Sequence, residues 1–275
     1  MGYFTSNQEL AFGIDLSRYN TSADGRKKVN FDGIAGHDPQ VSFIAMRAGI
    51  SWAYQDPWFA YYLQEAERVG CLRLPYHVLY PAESALAQMD NFMRILGDAD
   101  LENLRLVLDL ELEHGCSKRR ITDTVQACLQ VLKRRCGRYP ILYSRASWVD
   151  VYLNVDDLPD VDWWLAQYRW PRPFPLFTPE YPSPPRLPRG VGSWLIHQSA
   201  EKAPAIAAAG CYYMDYNRWN GGRRDVLRYF GQIDEPLQEV ICPLDQLVCP
   251  VKFKRQSGGS WIYETISKDD HSRQK

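Results

Sequence analysis

The sequence predicts an α/β fold, an irregular TIM-like (β/α) barrel of eight strands with fewer or shorter helices in its second half. Three observations predict it. Short apolar segments alternate with segments of helical periodicity over most of the chain. Eight of the apolar segments have the length and composition of strands. The helical segments become short or absent late in the chain, so we expect the barrel to be irregular there.

The first half of the chain contains two helices with clear boundaries. Asp56 and Pro57 are typical of an N-cap and a first helical position, and they predict a helix that ends at Gly70. Apolar residues at positions 86, 89, 92, 93 and 96 form one face of a second helix, which ends at Gly97. Around these helices, the apolar segments 12–16, 41–47 and 71–80 predict the first three strands.

The central stretch 104–115 combines a buried strand with acidic residues. Its continuous apolar run is typical of a strand that is covered on both faces of a parallel sheet. Asp109, Glu111 and Glu113 interrupt that run at every second position. Side chains two residues apart on a strand point the same way, so we expect Asp109 and Glu111 to share one face near the end of the strand.

The second half continues the alternation with shorter elements. Residues 171–188 hold eight of the chain's 18 prolines and predict a rigid surface insertion without regular structure. Helices are predicted at 121–136 and 225–230, and strands at 140–144, 161–168, 193–198 and 211–216.

Composition excludes several classes of protein. The formal net charge of −1 at pH 7 favours neither nucleic acid nor an anionic membrane as a partner. No apolar run reaches the length of a transmembrane helix, so we expect no membrane insertion. The seven cysteines form no CxxC pair and favour a reduced chain with free thiols over a disulfide scaffold.

Polar and aromatic side chains follow the predicted strands at their C-terminal ends, where a barrel of this kind carries its chemistry. Aromatic faces hold sugar rings, and amides bind hydroxyl and acetamido groups. Paired carboxylates suit glycoside hydrolysis, which needs one protonated carboxylic acid and one ionised carboxylate. The polar residues are Asp15, Arg47, Tyr76, His77, Asp109, Glu111, Tyr143, Gln167, Gln198, Asp215 and Asn217.

Eight short segments carry a resemblance to a known family. They are FGIDLSRYN, VSFIAMRAG, LPYHVLY, LVLDLELE, PILYS, WWLAQY, WLIHQSA and MDYNRW, in that order. Over residues 10–230 the chain resembles glycoside hydrolase family 25, the Chalaropsis-type lysozymes, which include phage endolysins. The most specific matches are Asp15, the D-x-E of Asp109 and Glu111, and the D-x-N of Asp215 and Asn217. The resemblance implies an N-acetylmuramidase that cleaves the β-1,4 bond between N-acetylmuramic acid and N-acetylglucosamine.

The resemblance also implies roles for individual residues. Glu111 is the expected general acid, and Asp109 the group that stabilises the oxocarbenium-like or acetamido-assisted intermediate, with net retention. We expect Asp109, Asp215 and partial burial to raise the pKa of Glu111, while Asp109 stays ionised with help from Arg47. Asp15 and Asp215 complete an acidic floor. The predicted substrate contacts are Arg47, Tyr76, Tyr143, Trp164, Gln167, Gln198 and Asn217, and neither a metal nor a cofactor is predicted.

Several of these residues have a purely structural alternative. Asp15 suits a turn cap, and Arg47 suits a structural ion pair. The aromatic residues Tyr76, Tyr143 and Trp164 suit a hydrophobic core. His77 and His197 lie on apolar segments and predict hydrogen-bonded core histidines, and Glu113 predicts a solvated rim residue.

Three other functions fit less well. A zinc amidase needs clustered ligands, but the five histidines lie far apart and no HExxH is present. A chitinase-like glycosidase shares the D-x-E, but that family carries aspartates where this chain has Leu104 and Val107. A catalytically inactive wall-binding barrel is the non-enzyme alternative, although such a barrel would normally lack Glu111 or Asp109.

The implied partner is bacterial peptidoglycan. The N-terminus has no basic segment followed by an apolar one, so we expect no signal peptide. This fits a phage lysin made in the host cytoplasm, or secretion by a non-classical route. Residues 1–231 form the predicted catalytic barrel. Residues 232–275 predict a tail that is packed on the barrel or partly disordered, and the alternative is a rudimentary wall-binding module.

Overall fold

The protein is described by a computed structural model that covers residues 11–22, 24–168, 183–233, 251–255 and 261–265. It confirms the predicted closed barrel of eight strands. The strands within residues 11–233 are β1 (Phe12–Leu16), β2 (Val41–Ile50), β3 (Tyr54–Gln55), β4 (Leu72–Val78), β5 (Val107–Asp109), β6 (Ile141–Ser144), β7 (Trp163–Ala166), β8 (Ile196–Pro204) and β9 (Tyr213–Trp219).

The barrel closes through the first strand of the chain. Neighbouring strands follow the order β1-β9-β8-β7-β6-β5-β4-β2, and β2 pairs again with β1. The short β3 is antiparallel to β2 at the edge of the sheet. All other pairs are parallel except those of β9, which runs antiparallel to both β8 and β1. A parallel pair needs a long crossover, whereas the antiparallel β8 and β9 are joined by the short connection 205–212 without a helix.

The last two helices, of seven residues each, are shorter than the three helices before them, as the sequence predicts. Gly97 and Gly137 follow the third and fourth helices with φ values of 56° and 73°, which side chains other than glycine rarely adopt. The second helix begins at Phe59, later than predicted, and Asp56 is buried and bonded to Arg47. The helices are α1 (Phe31–Ala35), α2 (Phe59–Arg68), α3 (Ala85–Leu96), α4 (Lys118–Cys136), α5 (Ala146–Tyr152) and α6 (Arg223–Tyr229).

Two strands near the site differ from the prediction. The central strand is only three residues long, so Glu111 lies in the loop beyond β5 and not within the strand. The last strand begins at Tyr213, later than the predicted residue 211, and extends to Trp219. Both differences arise because the ladder of hydrogen bonds, which depends on neighbouring strands, decides where a strand ends.

Alternate residues of the strands enter two different layers of the core. On β2, Phe43 and Ala45 pack in a cluster inside the barrel, whereas Ile44 and Met46 pack in the layer between the strands and the helices. This is the two-residue period of a strand that is buried on both faces. The inner cluster also contains Trp164, which reaches the cavity at one end of the barrel.

The antiparallel pairing of β9 with β1 joins the two ends of the barrel sequence. In this register, Asp15 lies opposite Asp215 and Gly13 lies opposite Asn217. Directly opposed residues of an antiparallel pair have neighbouring side chains on the same face of the sheet. The closure of the barrel therefore brings the first and the last predicted carboxylates together.

The chain divides into two compact units, Met1–Gln232 and Ile233–Lys275. In the second unit, Val251–Arg255 and Trp261–Thr265 form an antiparallel pair of strands. The proline-rich prediction for residues 171–188 falls largely outside the described residues, and residues 183–188 within it form no helix or strand. In the parts of the chain that the structure describes, no helix is both long and apolar enough to cross a membrane.

We expect Gly13→Ala to destabilise the barrel. An added Cβ would lie 2.4 Å from the backbone oxygen of Phe43 and 2.5 Å from its ring, so β1 and β2 would have to separate. Overpacking of this kind lowers the free energy of unfolding by about 1–3 kcal/mol. Urea unfolding followed by tryptophan fluorescence measures the change.

The matched control is Gly192→Ala, because nothing lies within 4 Å of its added Cβ. Its unfolding midpoint should equal that of the unmodified protein or exceed it slightly. An equal midpoint for Gly13→Ala would contradict the close approach of β1 and β2.

Candidate active site

A cavity of about 300 Å³ opens at the C-terminal ends of the parallel strands. The four predicted carboxylates line it together with five of the seven predicted substrate contacts. It is lined by Asp15, Arg47, Ile50, Tyr76, Val78, Tyr80, Asp109, Glu111, Leu112, Tyr143, Arg145, Trp164, Tyr168, Gln198, Glu201 and Asp215. Acidic residues from the first, the central and the last strands therefore face one space.

Asp15 is held by two side-chain amides. Its Oδ2 accepts hydrogen bonds from Gln198 Nε2 and from Asn217 Nδ2, each at 2.8 Å. The amides are oriented in turn, because Trp164 Nε1 donates to Asn217 Oδ1 at 2.8 Å and the Tyr143 hydroxyl donates to Gln198 Oε1 at 2.7 Å. Asn217 is buried and does not line the cavity, so it positions Asp15 from behind.

The environment of Asp15 favours its neutral form. Burial and the nearby charge of Asp215 raise the pKa of Asp15 to about 8, although the hydrogen bonds from Asn217 and Gln198 lower it. Desolvation has the largest effect, and only 7% of the residue is exposed.

Asp109 ends β5 and is as buried as Asp15. Burial, followed by the charges of Glu111 and Asp15, raises the pKa of Asp109 well above its ordinary value, and Arg47 lowers it. The expectation that Asp109 is ionised is therefore opposed by its burial in the free protein. Its Oδ1 has no hydrogen-bond partner among the residues that the structure describes.

Glu111 lies nearer the opening, and 38% of its side chain is exposed. Burial raises the pKa of Glu111, Arg145 lowers it, and Glu201 and Asp215 raise it further. The raised pKa of Glu111 matches the expectation, but the neighbouring anions that raise it are Glu201 and Asp215, not Asp109. Repulsion between Asp109 and Glu111 raises the pKa of Asp109 instead, because Asp109 is the more buried carboxyl.

Asp215 is held by a backbone N–H group. Lys202 N donates to Asp215 Oδ1 at 2.6 Å, and Lys202 has a φ of 48° in the left-handed region that non-glycine residues rarely adopt. The pairing of β8 with β9 shifts register on either side of Ala200, which turns this amide toward the cavity. Burial raises the pKa of Asp215, and the hydrogen bond from Lys202 lowers it.

Arg47 forms its ion pair outside the cavity lining, which is the structural alternative that the sequence also offers, and its charge still lowers the pKa of Asp109. Its Nε donates to Asp56 Oδ2 at 2.9 Å, and both side chains are buried. Asp56 also accepts hydrogen bonds from the backbone N–H groups of Arg18 and Trp58. Arg47 Nη2 is buried and has no partner in the described part of the chain. The ion pair thus fixes a guanidinium group at the cavity wall with one donor nitrogen unused.

Gln167, a predicted substrate contact, does not line the cavity. Its neighbour Tyr168 faces the cavity, and Gln167 points the other way because side chains alternate at the end of β7. Its Oε1 accepts a hydrogen bond from the backbone N–H of Arg186 at 2.6 Å.

Of the predicted aromatic and histidine residues, Tyr143 and Trp164 line the cavity, whereas the two histidines lie in the core. Trp164 is 2% exposed and lies edge-on to Tyr143, with ring centroids 4.8 Å apart. His77 is buried against Phe92, and burial lowers its pKa to about 4. His197 Nε2 lies 2.9 Å from the backbone oxygen of Gln167, which confirms a hydrogen-bonded core histidine, whereas His77 is a core histidine whose ring nitrogens have no hydrogen-bond partner among the described residues.

Sequence reasoning missed four polar residues of the cavity. Tyr80 follows β4, Arg145 directly follows β6, Tyr168 follows β7, and Glu201 lies within β8 beyond a register shift. The position of Arg145 immediately after a strand was a usable signal, whereas the direction of Glu201 depends on the irregular ladder. Among the described residues, no group of three or more His, Cys, Asp or Glu side chains is arranged to hold a metal ion.

Comparison with known proteins agrees with this geometry. Residues 14–201 match the family described as Glycosyl hydrolases family 25. The uncharacterized protein YegX of Escherichia coli is 29% identical over 163 residues, which are 58% of this chain and 57% of that protein. The N,O-diacetylmuramidase of Arthroderma benhamiae is 23% identical over 229 residues, which are 79% of this chain and 85% of that protein. The chain thus spans little more than half the length of the YegX relative.

Solved structures share the fold. The muramidase from Trichobolus zukalii has a TM-score of 0.64 and 24% identity, covering 81% of this chain and 99% of its own. The bacterial lysozyme from Streptomyces coelicolor has a TM-score of 0.63 and 21% identity, covering 82% of this chain and all of its own.

We expect Asp15→Asn to raise the free energy of unfolding at neutral pH. The pKa of Asp15 is raised from 3.8 to about 8, so the stability that its neutral form confers is present below pH 3.8 and lost as the pH rises toward 8. Asparagine keeps an acceptor for the two amides and carries no charge. The gain should be absent near pH 4 and reach at least about 1 kcal/mol near pH 7.5 in urea unfolding.

Asp123→Asn provides the control, since Asp123 is a half-exposed partner of Arg119 on the surface of α4. It should show no gain that grows with pH. A gain for Asp15→Asn that is constant between pH 4 and 7.5 would mean that Asp15 is not held neutral in the fold.

Proposed function

Because the chain belongs to glycosyl hydrolases family 25, we propose that it is a peptidoglycan hydrolase, a lysozyme that cleaves the β-1,4 bond between N-acetylmuramic acid and N-acetylglucosamine. The observation that carries the proposal is the single cavity in which Asp15, Asp109, Glu111 and Asp215 meet. Hydrolysis of a glycosidic bond needs a carboxylic acid that is protonated near neutral pH, and crowded, buried carboxyl groups supply it.

Glu111 is the general acid in this proposal. It is the most exposed of the four carboxyl groups and lies at the opening of the cavity, where a glycan strand can reach it. Its raised pKa keeps a proton available. The proton passes to the glycosidic oxygen as the bond to the anomeric carbon breaks, and positive charge develops at that carbon.

Asp109 is proposed to stabilise the developing positive charge. Asp109 lines the cavity, and its buried Oδ1 has no hydrogen-bond partner among the described residues, so we assign this oxygen to the substrate. The oxygen can accept a hydrogen bond from the 2-acetamido N–H, or it can approach the anomeric carbon itself. Both routes give net retention, which is the expected stereochemical outcome.

The remaining predicted contacts divide into two groups. Arg47 lines the cavity and has a buried Nη2 without a partner among the described residues, so we assign it to an oxygen acceptor of the sugar, and the half-buried Tyr76 offers its ring. In contrast, Gln198 and Asn217 direct their amide groups at Asp15, so we assign them to the positioning of that carboxylate. How the enzyme reaches peptidoglycan, as a phage lysin or otherwise, stays a prediction.

Replacement of the general acid tests the function. We expect Glu111→Gln to lower the rate of peptidoglycan lysis by at least about 100-fold, because the amide keeps the shape of the side chain and cannot donate the proton. The loss of turbidity of a peptidoglycan suspension measures the rate. Mass analysis of the reduced fragments should reveal muramitol ends.

Glu113→Gln is the matched control, since Glu113 is an exposed carboxylate two residues along the same loop and does not line the cavity. It should lyse at the rate of the unmodified protein. Unchanged lysis by Glu111→Gln would refute the assignment. Glucosaminitol ends would point to a glucosaminidase, and binding without lysis by the unmodified protein would point to a wall-binding barrel.

A further inference from the structure

Arg145 is a cation at the opening of the cavity, immediately after β6 and at the start of α5. Its Nε lies 3.7 Å from Glu111 Oε1, and half of its side chain is exposed. Tyr168 braces the guanidinium group: Arg145 Nη2 donates to the Tyr168 hydroxyl at 3.3 Å, and its Cζ lies 5.1 Å from the centre of the ring. The brace limits where the guanidinium group can move.

We propose that Arg145 is a positioning residue for Glu111, which holds the carboxyl group at the opening of the cavity and stabilises the carboxylate that forms when the proton leaves. The proposal rests on the proposed function, since it concerns the same acid. It adds a residue whose charge acts on the acid without contact with the reacting atoms.

The charges around Glu111 leave this task to Arg145. Of the described residues that line the cavity, Arg47 and Arg145 are the cations, and Arg47 is already paired with Asp56. The other charged groups of the lining are acidic and oppose the ionisation of Glu111. The titratable and charged groups that line the cavity with Glu111 are Asp15 on β1, Arg47 on β2, Tyr76 on β4, Tyr80 after β4, Asp109 on β5, Tyr143 on β6, Arg145 after β6, Tyr168 after β7, Glu201 on β8 and Asp215 on β9, and Lys202 is bonded to Asp215 through its backbone N–H.

The reaction leaves Glu111 negatively charged between its two steps, where a nearby cation stabilises it. In the first step, the proton of Glu111 moves to the glycosidic oxygen, the electron pair of the broken bond stays on that oxygen, and Glu111 becomes a carboxylate. In the second step, water adds to the anomeric carbon and its proton returns to Glu111. A cation 3.7 Å away favours the carboxylate between these steps, which makes Glu111 a stronger acid.

The electrostatic balance at Glu111 agrees with this role. Burial raises its pKa, with Glu201 and Asp215 acting in the same direction, and Arg145 is the neighbour that lowers it. Without Arg145, the acid would keep its proton to higher pH and would release it less readily.

The test is the pH dependence of kcat/KM for Arg145→Met, measured with a soluble peptidoglycan glycan. Methionine keeps the stem of the side chain and removes its charge. We expect the alkaline limb, which reports loss of the proton from the acid, to move upward by roughly half to one pH unit. On the acidic side of that limb, kcat should fall by roughly twofold to threefold, because Glu111 is then a weaker acid. Arg145→Lys should restore most of the position of the alkaline limb and most of kcat.

Two further measurements keep the proposal open to refutation. Arg119→Met removes an exposed cation on α4 that does not line the cavity, and should leave the profile unchanged. NMR titration of the Glu111 carboxyl carbon in Arg145→Met follows the same change without turnover. If Arg145→Met does not fold, Tyr168→Phe, which removes the hydroxyl brace and leaves the charge, should move the alkaline limb in the same direction by a smaller amount.

The outcomes separate the two proposals. An alkaline limb that stays in place, or a rise in KM alone, would overturn the role of Arg145 and mark it as a substrate contact or a structural residue. Failure of the unmodified protein to release muramitol ends would instead overturn the proposed function, and it would leave the NMR titration of Glu111 as the independent test of the Arg145 contact.

Discussion

Four carboxyl groups share one cavity, and their mutual repulsion and lost hydration are the constraint to which the rest of the site responds. Burial of a charged group is unfavourable unless hydrogen bonds or opposite charges compensate for it. Asp15 receives two amide donors, Asp215 receives a backbone N–H group and Glu111 receives Arg145. Asp109 Oδ1 receives no partner in the described part of the chain, which leaves it for the substrate. Incomplete compensation raises the pKa of all four groups above their ordinary values, and burial is the largest cause in each.

The closure of the barrel makes this crowding possible. An ordinary series of parallel strands would separate the first and last carboxylates, but the antiparallel β9 returns beside β1 and sets Asp15 opposite Asp215. The same pairing brings Asn217 within hydrogen-bond distance of Asp15 across more than 200 positions of sequence. The irregular half of the barrel, where helices are short or absent in the described residues, is thus the half that completes the site. The shift of register between β8 and β9 also turns the Lys202 amide toward Asp215.

The limits of sequence reasoning are visible in particular residues. The strands and the main helices could be predicted because apolar periodicity is local, and Asp15, Asp109, Glu111 and Asp215 could be chosen because they lie in or just after those strands and match the motifs of the family. Asp56 was misread as a helix cap, since its sequence neighbours do not reveal that it lies buried against Arg47. Gln167 was predicted to contact the substrate, but its neighbour Tyr168 lines the cavity. Which of the two side chains points inward depends on the phase of the strand. Arg145 and Glu201 act through contacts with residues from other strands.

Local patterns in the chain are enough to predict the alternation of elements, the order of the acidic residues and the resemblance to a family of hydrolases. Each of these depends on residues close together in the chain or on the identity of single side chains. Which carboxyl groups are buried, which are paired and which neighbours raise the pKa of each are properties of the folded barrel. Desolvation and Coulomb energies depend on distances in space, and for Asp15 and Asp215 those distances are set by the closure of the barrel.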